Sequence, residues 1–290
     1  MKVVIFCGGK GMRMRDFDQR TPKPLAPIGQ RPVIWHVMKY YAYYGHTDFV
    51  LCLGYGSQEI KNYFINYQEW DSNDFTLTRH SRSVTLHQSD LDEWNISFVD
   101  TGHDSLLGER LRRVRHLLDD ETFLCNYADS LTDCSIDDIV KQHEHLNATA
   151  TILAARPTRS LHVLEIDDDS RIETIGPMND SDIWVNGGYM VLEPEIFDVI
   201  EEGDELVDEP FHRLAAKGKL AAYRYSGNWM ACDTFKDRQE MEDLWVAGKA
   251  PWAKWRQTDR GINPLPVSAS APMAARAPAP SPVRSIASGS

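Results

Sequence analysis

The sequence has few cysteines, and none of the five belongs to a Cys-x-x-Cys motif. An odd number of widely spaced cysteines excludes a fully paired disulfide framework and argues against a thiolate metal site. Cys7, Cys52 and Cys125 lie in apolar, strand-like runs, which predicts buried free thiols. Unpaired cysteines favour a reducing compartment, and we therefore expect a cytoplasmic protein.

Long apolar runs and an excess of positive charge are also lacking. No segment approaches the roughly 20 apolar residues of a membrane-spanning helix, and there is no signal-peptide pattern. The chain has 31 Lys and Arg against 43 Asp and Glu, a formal net charge of −12. A field of that sign repels nucleic acid. We therefore expect neither a membrane segment nor a nucleic-acid partner.

The chain does have a glycine-rich segment directly after an apolar run. Val3–Cys7 predicts a buried parallel strand, and Gly8-Gly9-Lys10-Gly11 follows it. Glycines let backbone N–H groups close around an anion, and nearby fixed cations add charge neutralisation. The spacing fits neither the Walker pattern nor the dinucleotide fingerprint. The segment predicts polyphosphate binding, although Gly-Gly-x-Gly alone is equally consistent with a plain turn.

Short apolar segments alternate with helix-like segments through the first half of the chain. Strands are predicted at Val3–Cys7, Phe49–Leu53, Ile96–Val99, Phe123–Asn126 and Thr149–Ala154, and helices at Val33–Tyr44, Gln58–Tyr67, Gly108–Leu118 and Ile136–His145. This order predicts an α/β fold with a Rossmann-like, mostly parallel sheet and helices on both faces. Ligands bind at the carboxyl ends of such strands, where the glycine segment, Thr101-Gly102 and Asp129 all fall.

The second half is less regular and predicts a small β-rich portion. Leu161–Ile166 and Arg171–Ile175 read as a hairpin, and Val185–Leu192 as a strand broken by two glycines. His143-Glu144-His145 has the residue types of a metal pair, but positions i and i+2 face different sides of a helix, so a solvated helix end is expected. The composition changes from about Gln257, and Pro264–Ser290 is mostly Pro, Ala and Ser. We expect one domain over 1–256 and a disordered tail over 257–290.

Several motifs in order along the chain carry a family resemblance. They are Gly8-Gly9-Lys10-Gly11-Met12-Arg13, Pro22-Lys23-Pro24-Leu25, Gly54-Tyr55-Gly56, Val99-Asp100-Thr101-Gly102, Tyr127-Ala128-Asp129, Val185-Asn186-Gly187-Gly188-Tyr189, Asp233-Thr234 and Lys249-Ala250-Pro251-Trp252. From Val3 to about Trp255 the chain resembles the sugar-1-phosphate nucleotidyltransferases. The Gly-Tyr and Asp-Thr-Gly motifs resemble the cytidylyl branch of that family most closely.

The resemblance implies Mg²⁺-dependent coupling of an NTP, with CTP favoured, to a sugar 1-phosphate such as glucose 1-phosphate, with release of pyrophosphate. It also implies a homo-oligomer. The residues with implied roles are Arg13, Lys23 and Asp129 in catalysis, Asp129 and Asp233 in metal binding, Gly8, Gly9, Gly11, Thr101, Gly102 and Arg110 in nucleotide binding, and Asn186 and Gly187 in sugar binding.

The chain departs from the family pattern at one phosphate-binding position. The family usually carries Glu-Lys-Pro shortly before the Asn-Gly-Gly strand, and its lysine meets the sugar phosphate. Here the stretch is Thr174-Ile175-Gly176-Pro177, so a nearby cation such as Arg156, Arg159 or Arg171 would have to compensate. An alternative is a catalytically weak relative that binds a nucleotide or sugar nucleotide as a regulatory protein. Retention of Arg13, Lys23 and the two aspartates favours the enzyme.

Overall fold

The structure is a computed structural model that describes residues 1–8, 21–80, 83–87, 94–157, 162–178 and 181–256. The chain divides into two compact units, of which the larger comprises Met1–Gln68 and Leu91–Ile262. The smaller includes Glu69–Asp90. The predicted tail over 257–290 lies outside the described residues, so its disorder stays a prediction.

The described residues form strands and helices in the predicted alternating order. The strands are β1 (Val3–Phe6), β2 (Pro27–Ile28), β3 (Arg31–Pro32), β4 (Asp48–Leu53), β5 (Phe75–Thr78), β6 (Ser83–Leu86), β7 (Asn95–Asp100), β8 (Phe123–Tyr127), β9 (Ser130–Thr132), β10 (Ala150–Ala155), β11 (His162–Ile166), β12 (Ile172–Pro177), β13 (Val185–Leu192), β14 (Leu220–Tyr225) and β15 (Trp229–Ala231). The helices are α1 (Val33–Tyr43), α2 (Ser57–Asn66), α3 (Leu107–Val114), α4 (Ile136–Leu146), α5 (Glu209–Ala216) and α6 (Phe235–Val246).

A seven-stranded sheet with the order β14-β10-β13-β8-β1-β4-β7 forms the centre of the larger unit. β1 pairs in parallel with β4 and β8, β4 with β7, and β10 with β14. β13 pairs antiparallel with both β8 and β10. The predicted mostly parallel α/β fold is therefore confirmed, with β13 as the reversed strand of this sheet.

Both faces of the sheet are covered, as continuous apolar strands require. In β1, Val3 and Ile5 enter one buried apolar cluster and Val4 and Phe6 enter another. The first cluster includes residues of α1, α4 and α6, and the second includes residues of α3 and α5. This arrangement leaves the carboxyl ends of the parallel strands as the edge at which side chains of several strands converge.

Two smaller predictions have different outcomes. All five cysteines are buried and free, as expected of the three in strand-like runs. The solvated helix end predicted at His143 is wrong, because the His143 side chain is buried, with Nδ1 2.9 Å from Thr151 Oγ1 and Nε2 2.8 Å from Glu193 Oε1. These polar partners compensate for burying the imidazole, and they explain its position without a metal.

The polar segment around residues 76–85 belongs to the smaller unit. It forms an antiparallel hairpin in which β5 pairs with β6, and the four residues of β5 are exposed. Across the described residues, no helix has both the length and the apolar character needed to cross a bilayer.

Candidate active site

Asp129 and Asp233 are brought together by a short antiparallel pairing. β9 begins directly after Asp129, and β15 ends two residues before Asp233. The register pairs Ser130 with Ala231, and one step further the Cys232 N–H donates to the Asp129 carbonyl oxygen at 2.8 Å. Sequence positions about a hundred residues apart thus become neighbours at the carboxyl end of β8.

The start of α6 fixes the backbone beyond Asp233. Thr234 is the N-cap residue, and its side chain accepts a hydrogen bond from the Asp237 N–H, while the Asp237 side chain accepts one from the Thr234 N–H. This reciprocal capping box satisfies two N–H groups that a helix start would otherwise leave unpaired. Asp233 is therefore held between a paired strand and a capped helix.

Lys23 reaches both aspartates from a separate segment. It begins a short 3₁₀ helix, Lys23–Leu25, between Pro22 and Pro24, which restrict the backbone. Its ammonium nitrogen Nζ forms an ion pair with Asp129 Oδ2 and lies 2.7 Å from Asp233 Oδ1. The predicted grouping of Lys23 with these carboxylates is present in the structure.

The environment of Lys23 keeps it charged. Burial alone would lower the pKa of Lys23, but the attraction of Asp129 and Asp233 outweighs this effect, and the pKa is raised above its ordinary value. The side chains of Lys23, Asp129 and Asp233 are 16, 21 and 25% exposed, so solvent or a ligand can still reach them. The centre therefore consists of a partly exposed ammonium next to the side chains of two aspartates.

The donor set of this centre fits a hard divalent cation. Two aspartates provide oxygen ligands, and Mg²⁺ is typically held by one or two carboxylates with water and phosphate oxygens completing its shell. No group of three or more His, Cys, Asp or Glu side chains suited to a metal occurs in the part of the chain that the structure describes. A metal held here would therefore depend on ligands from a phosphate-bearing substrate or from solvent.

Arg110 joins the carboxyl ends of three parallel strands. Its Nη1 donates to the Leu53 carbonyl at 3.1 Å and to Thr101 Oγ1 at 2.8 Å, and its Nη2 donates to the carbonyls of Gly8 at 3.2 Å and His103 at 3.4 Å. The residue is only 4% exposed, and burial lowers the pKa of Arg110. Its guanidinium therefore holds the ends of β1, β4 and β7 in fixed relation.

Gly8, which is one of the predicted nucleotide-binding glycines, and Gly54 lie close to this guanidinium. A Cβ placed on Gly8 would come 2.2 Å from Arg110 Nη1, and one on Gly54 would come 2.8 Å from the same atom. Gly102 has a positive φ of 90°, and its N–H donates to Asp100 Oδ1 at 3.0 Å. Thr101 is fully buried and donates from its hydroxyl to the Leu53 carbonyl. The structure thus groups Gly8, Thr101, Gly102 and Arg110 at one edge of the sheet.

Asn186 and Gly187 lie where β13 starts. Asn186 Nδ2 donates to the Tyr127 hydroxyl at 3.2 Å, and its Oδ1 accepts from the Gly188 N–H at 2.8 Å. The Gly187 carbonyl accepts from Trp229 Nε1 at 2.8 Å. Because Trp229 begins β15 and Tyr127 ends β8, these contacts connect the predicted sugar-binding residues to the two strands that precede Asp233 and Asp129.

Comparisons with known proteins identify the family. A family model described as nucleotidyl transferase matches residues 2–242. Glucose-1-phosphate cytidylyltransferase of Salmonella typhi is 37% identical over 258 residues, which cover 88% of this chain and 100% of the relative. A Bacillus subtilis (strain 168) protein named "Probable glucose-1-phosphate cytidylyltransferase" is 38% identical over 257 residues, with the same shares covered.

The chain belongs to the sugar-1-phosphate nucleotidyltransferase family. The fold agrees with this. A crystal structure of UDP-glucose pyrophosphorylase complexed with UDP-glucose matches with a TM-score of 0.60 at 14% identity, covering 85% of this chain and 98% of that chain. At that identity the match concerns the fold alone.

Three predicted site residues of this nucleotidyltransferase family member, Gly9, Gly11 and Arg13, lie outside the described residues. Their roles stay predictions. Tyr127 and Trp229, for which the sequence predicts no role, hold the Asn186 and Gly187 segment in place. Tyr127 stands in a recognised motif, so its position could have been noticed, whereas Trp229 is identified only by the pairing of β15.

Proposed function

We propose that this protein transfers the nucleotidyl group of an NTP, with CTP favoured, to a sugar 1-phosphate, with glucose 1-phosphate or a close relative as acceptor. The single observation that carries the proposal is the Lys23 ammonium between the Asp129 and Asp233 carboxylates. The similarity to glucose-1-phosphate cytidylyltransferases over 88% of the chain supports the choice of substrates.

In the proposed reaction an oxygen of the sugar phosphate attacks the α-phosphorus of the NTP. A new P–O bond forms, the bond between the α-phosphorus and its bridging oxygen breaks, and pyrophosphate leaves with the electron pair. No covalent bond to the protein is needed. The protein has to align two anions that repel each other and to offset charge in the transition state.

The described residues provide for both requirements. Lys23 keeps its positive charge and is partly exposed, so its ammonium can contact phosphate oxygens near the reacting phosphorus. Asp129 and Asp233 would hold the divalent cation, proposed to be Mg²⁺, which when bound neutralises phosphate charge. The edge formed by Gly8, Thr101 and Gly102 would face the nucleotide, and Asn186 and Gly187 would face the sugar.

The buried Arg110 is proposed to act on the nucleotide through the backbone that it holds. Its two terminal nitrogens already donate to three carbonyl oxygens and one hydroxyl of the chain. A guanidinium engaged in this way shapes a binding edge by fixing where N–H and C=O groups point.

The proposal is tested by measuring pyrophosphate release with each of the four NTPs and a panel of sugar 1-phosphates, with Mg²⁺ added and then removed by EDTA. We expect release with CTP and glucose 1-phosphate or a relative, and its loss on chelation. Nucleotide binding without release from any pair in the panel would contradict the enzyme and support the regulatory alternative. Release that persists under EDTA would contradict the metal assignment.

A further inference from the structure

Three residues form a row across neighbouring strands beside the proposed sugar-binding residues. In β13, Asn186 is paired with Ala154 of β10, and Ala154 is paired with Arg224 of β14. Residues paired across adjacent strands project their side chains on the same face of a sheet. Two strand spacings separate Asn186 from Arg224, roughly 10 Å. The middle residue is an alanine, so the row contains no bulky side chain between the amide and the guanidinium.

An indole ring lies beside the arginine end of this row. Trp184 comes two residues before Asn186, and its ring centroid is 5.6 Å from the Cζ of Arg224. A second guanidinium, that of Arg156, lies 4.0 Å from the same centroid. Stacking on an aromatic face orients a guanidinium while leaving its N–H groups at the edge.

The two arginines have different surroundings. Arg156 is half-buried, and its Nη1 donates to the carbonyl oxygens of Ser181 and Ile183, which ties the segment before β13 to the end of β10. Arg224 is exposed, and no ion pair joins it to a carboxylate of the described residues. Arg156 is therefore committed to the chain, while the N–H groups of Arg224 are available to a ligand.

The charge of this corner contrasts with that of the whole protein. The chain carries a net charge of −12, yet two guanidiniums contact one indole ring here, and one carboxylate of the described residues forms an ion pair with either of them. That carboxylate, Asp182, is 94% exposed and 3.4 Å from Arg156 Nη2. Two cations gathered at one ring favour a bound anion, and guanidiniums bind phosphate oxygens in a bidentate geometry.

We infer that Arg224 binds the phosphate group of the acceptor sugar 1-phosphate, with Trp184 and Arg156 as positioning residues. This inference rests on the proposed function, because it places the acceptor beside Asn186 and Gly187. It also accounts for the stretch 174–177, which supplies no cation. Gly176 of β12 has no side chain, and a Cβ added there would meet nothing within 4 Å.

The other two arginines considered from the sequence are less suited to the role. Arg171 is exposed in the turn between β11 and β12, where its backbone N–H donates to Asp167 Oδ1 at 2.7 Å. Arg159 lies outside the described residues. Arg171 therefore serves as a matched control, since its replacement removes the same charge from an exposed site of the same unit.

The test compares Arg224→Ala, Arg224→Lys and Arg171→Ala with the wild type in steady-state kinetics. For Arg224→Ala we expect the KM for glucose 1-phosphate to rise by about tenfold or more, the loss typical of one charge-assisted contact, with the KM for CTP within about twofold. Arg224→Lys should recover part of the loss, because it restores the charge without the bidentate geometry. Arg171→Ala should resemble the wild type.

A binding measurement separates this inference from the proposed function. Calorimetric titration of glucose 1-phosphate, in the presence of an unreactive α,β-methylene analogue of CTP, needs no turnover. If the wild type releases no pyrophosphate, the proposed function fails. Weaker binding in Arg224→Ala than in Arg171→Ala would still support the inference. Equal affinity in these two variants, or no binding by the wild type, would overturn it.

Discussion

Lys23 and Arg110 lie at the same edge of the sheet, but Lys23 has charged partners and Arg110 has uncharged ones. Lys23 lies between two carboxylates and is partly exposed. Arg110 is 4% exposed and donates to three carbonyls and a hydroxyl. The first arrangement gathers charges that a substrate or metal can share. The second uses a charge to hold backbone in place.

The difference between Lys23 and Arg110 shows that a cationic residue in a motif can serve catalysis or can hold the backbone in place. Carbonyl oxygens at the ends of strands often lack a donor on the neighbouring strand. A buried guanidinium can donate hydrogen bonds to several of them at once. An ammonium facing carboxylates instead keeps a high pKa and remains available for electrostatic catalysis. Substitutions at the two positions should therefore affect different measurements.

The largest expected effect is on turnover at the lysine centre. Lys23→Ala and Asp129→Ala should each lower kcat by at least ~10²-fold, because Lys23 is proposed to contact the reacting phosphates and Asp129 to hold the divalent cation. Pyrophosphate release measures kcat, and circular dichroism checks the fold. Lys141→Ala, which removes an exposed ammonium in α4, is the control and should leave kcat unchanged. Near-normal turnover in either active-site variant would remove that residue from the mechanism.

Substitution of Arg110 should lower the free energy of unfolding more than substitution of Lys23. Arg110→Met keeps much of the side-chain volume but removes four hydrogen bonds, including the one to the carbonyl of buried Gly8, so we expect a loss of ~2–4 kcal/mol in the free energy of unfolding. Urea denaturation measures it. Arg112→Met, at an exposed position of the same helix, should change stability by less than ~0.5 kcal/mol. Equal losses in the two variants would show that Arg110 does not hold the strand ends.

Much of this arrangement could be predicted from the sequence because the local signals agree. The apolar run of β1, its buried neighbours β4 and β8, and the intervening helices follow from hydrophobic patterning. Lys23, Asp129 and Asp233 were grouped through family motifs, and the structure brings them together. Hydrophobic patterning predicts the strands and helices, and motifs predict the catalytic residues. Both predictions succeed where they do not depend on pairing between distant segments.

The remainder depended on contacts between distant segments. The reversal of β13 cannot be recognised from its own apolar residues, since a buried antiparallel strand has the same pattern as a parallel one. The three residues of β15 are too few to show a period, although their pairing with β9 positions Asp233. His143 was assigned to solvent because Thr151 and Glu193 approach it only in the folded chain.

A glycine substitution tests the position of Arg110 with a smaller expected loss of stability. Gly8→Ala would place a Cβ 2.2 Å from Arg110 Nη1, so the guanidinium must move away from the Gly8 carbonyl. We expect a loss of ~1–3 kcal/mol in the free energy of unfolding, as for other overpacked sites. Gly176→Ala, where a Cβ meets nothing within 4 Å, is the matched control and should be nearly neutral. A neutral Gly8→Ala would mean that Arg110 can shift freely.

The smallest effect concerns the protonation of Lys23. Burial is the largest influence on the pKa of Lys23 and lowers it, while Asp129 and then Asp233 raise it to above its ordinary 10.5. A raised folded-state pKa gives stability that is present below pH 10.5 and is lost as the pH rises through the folded value. In an Asp129→Asn, Asp233→Asn double variant burial remains while both attractions disappear, so the pKa should fall below 10.5. The sign of the contribution then reverses.

The pH titration of the Lys23 ¹³Cε shift by NMR, assigned by its absence in Lys23→Arg, measures this change. The wild type should titrate above the ordinary lysine value and the double variant below it. If both titrate at the same pH, the carboxylates do not govern the charge of Lys23. The contrast with Arg110 would then be one of exposure alone, because both cations would owe their properties to burial and neither to a charged partner.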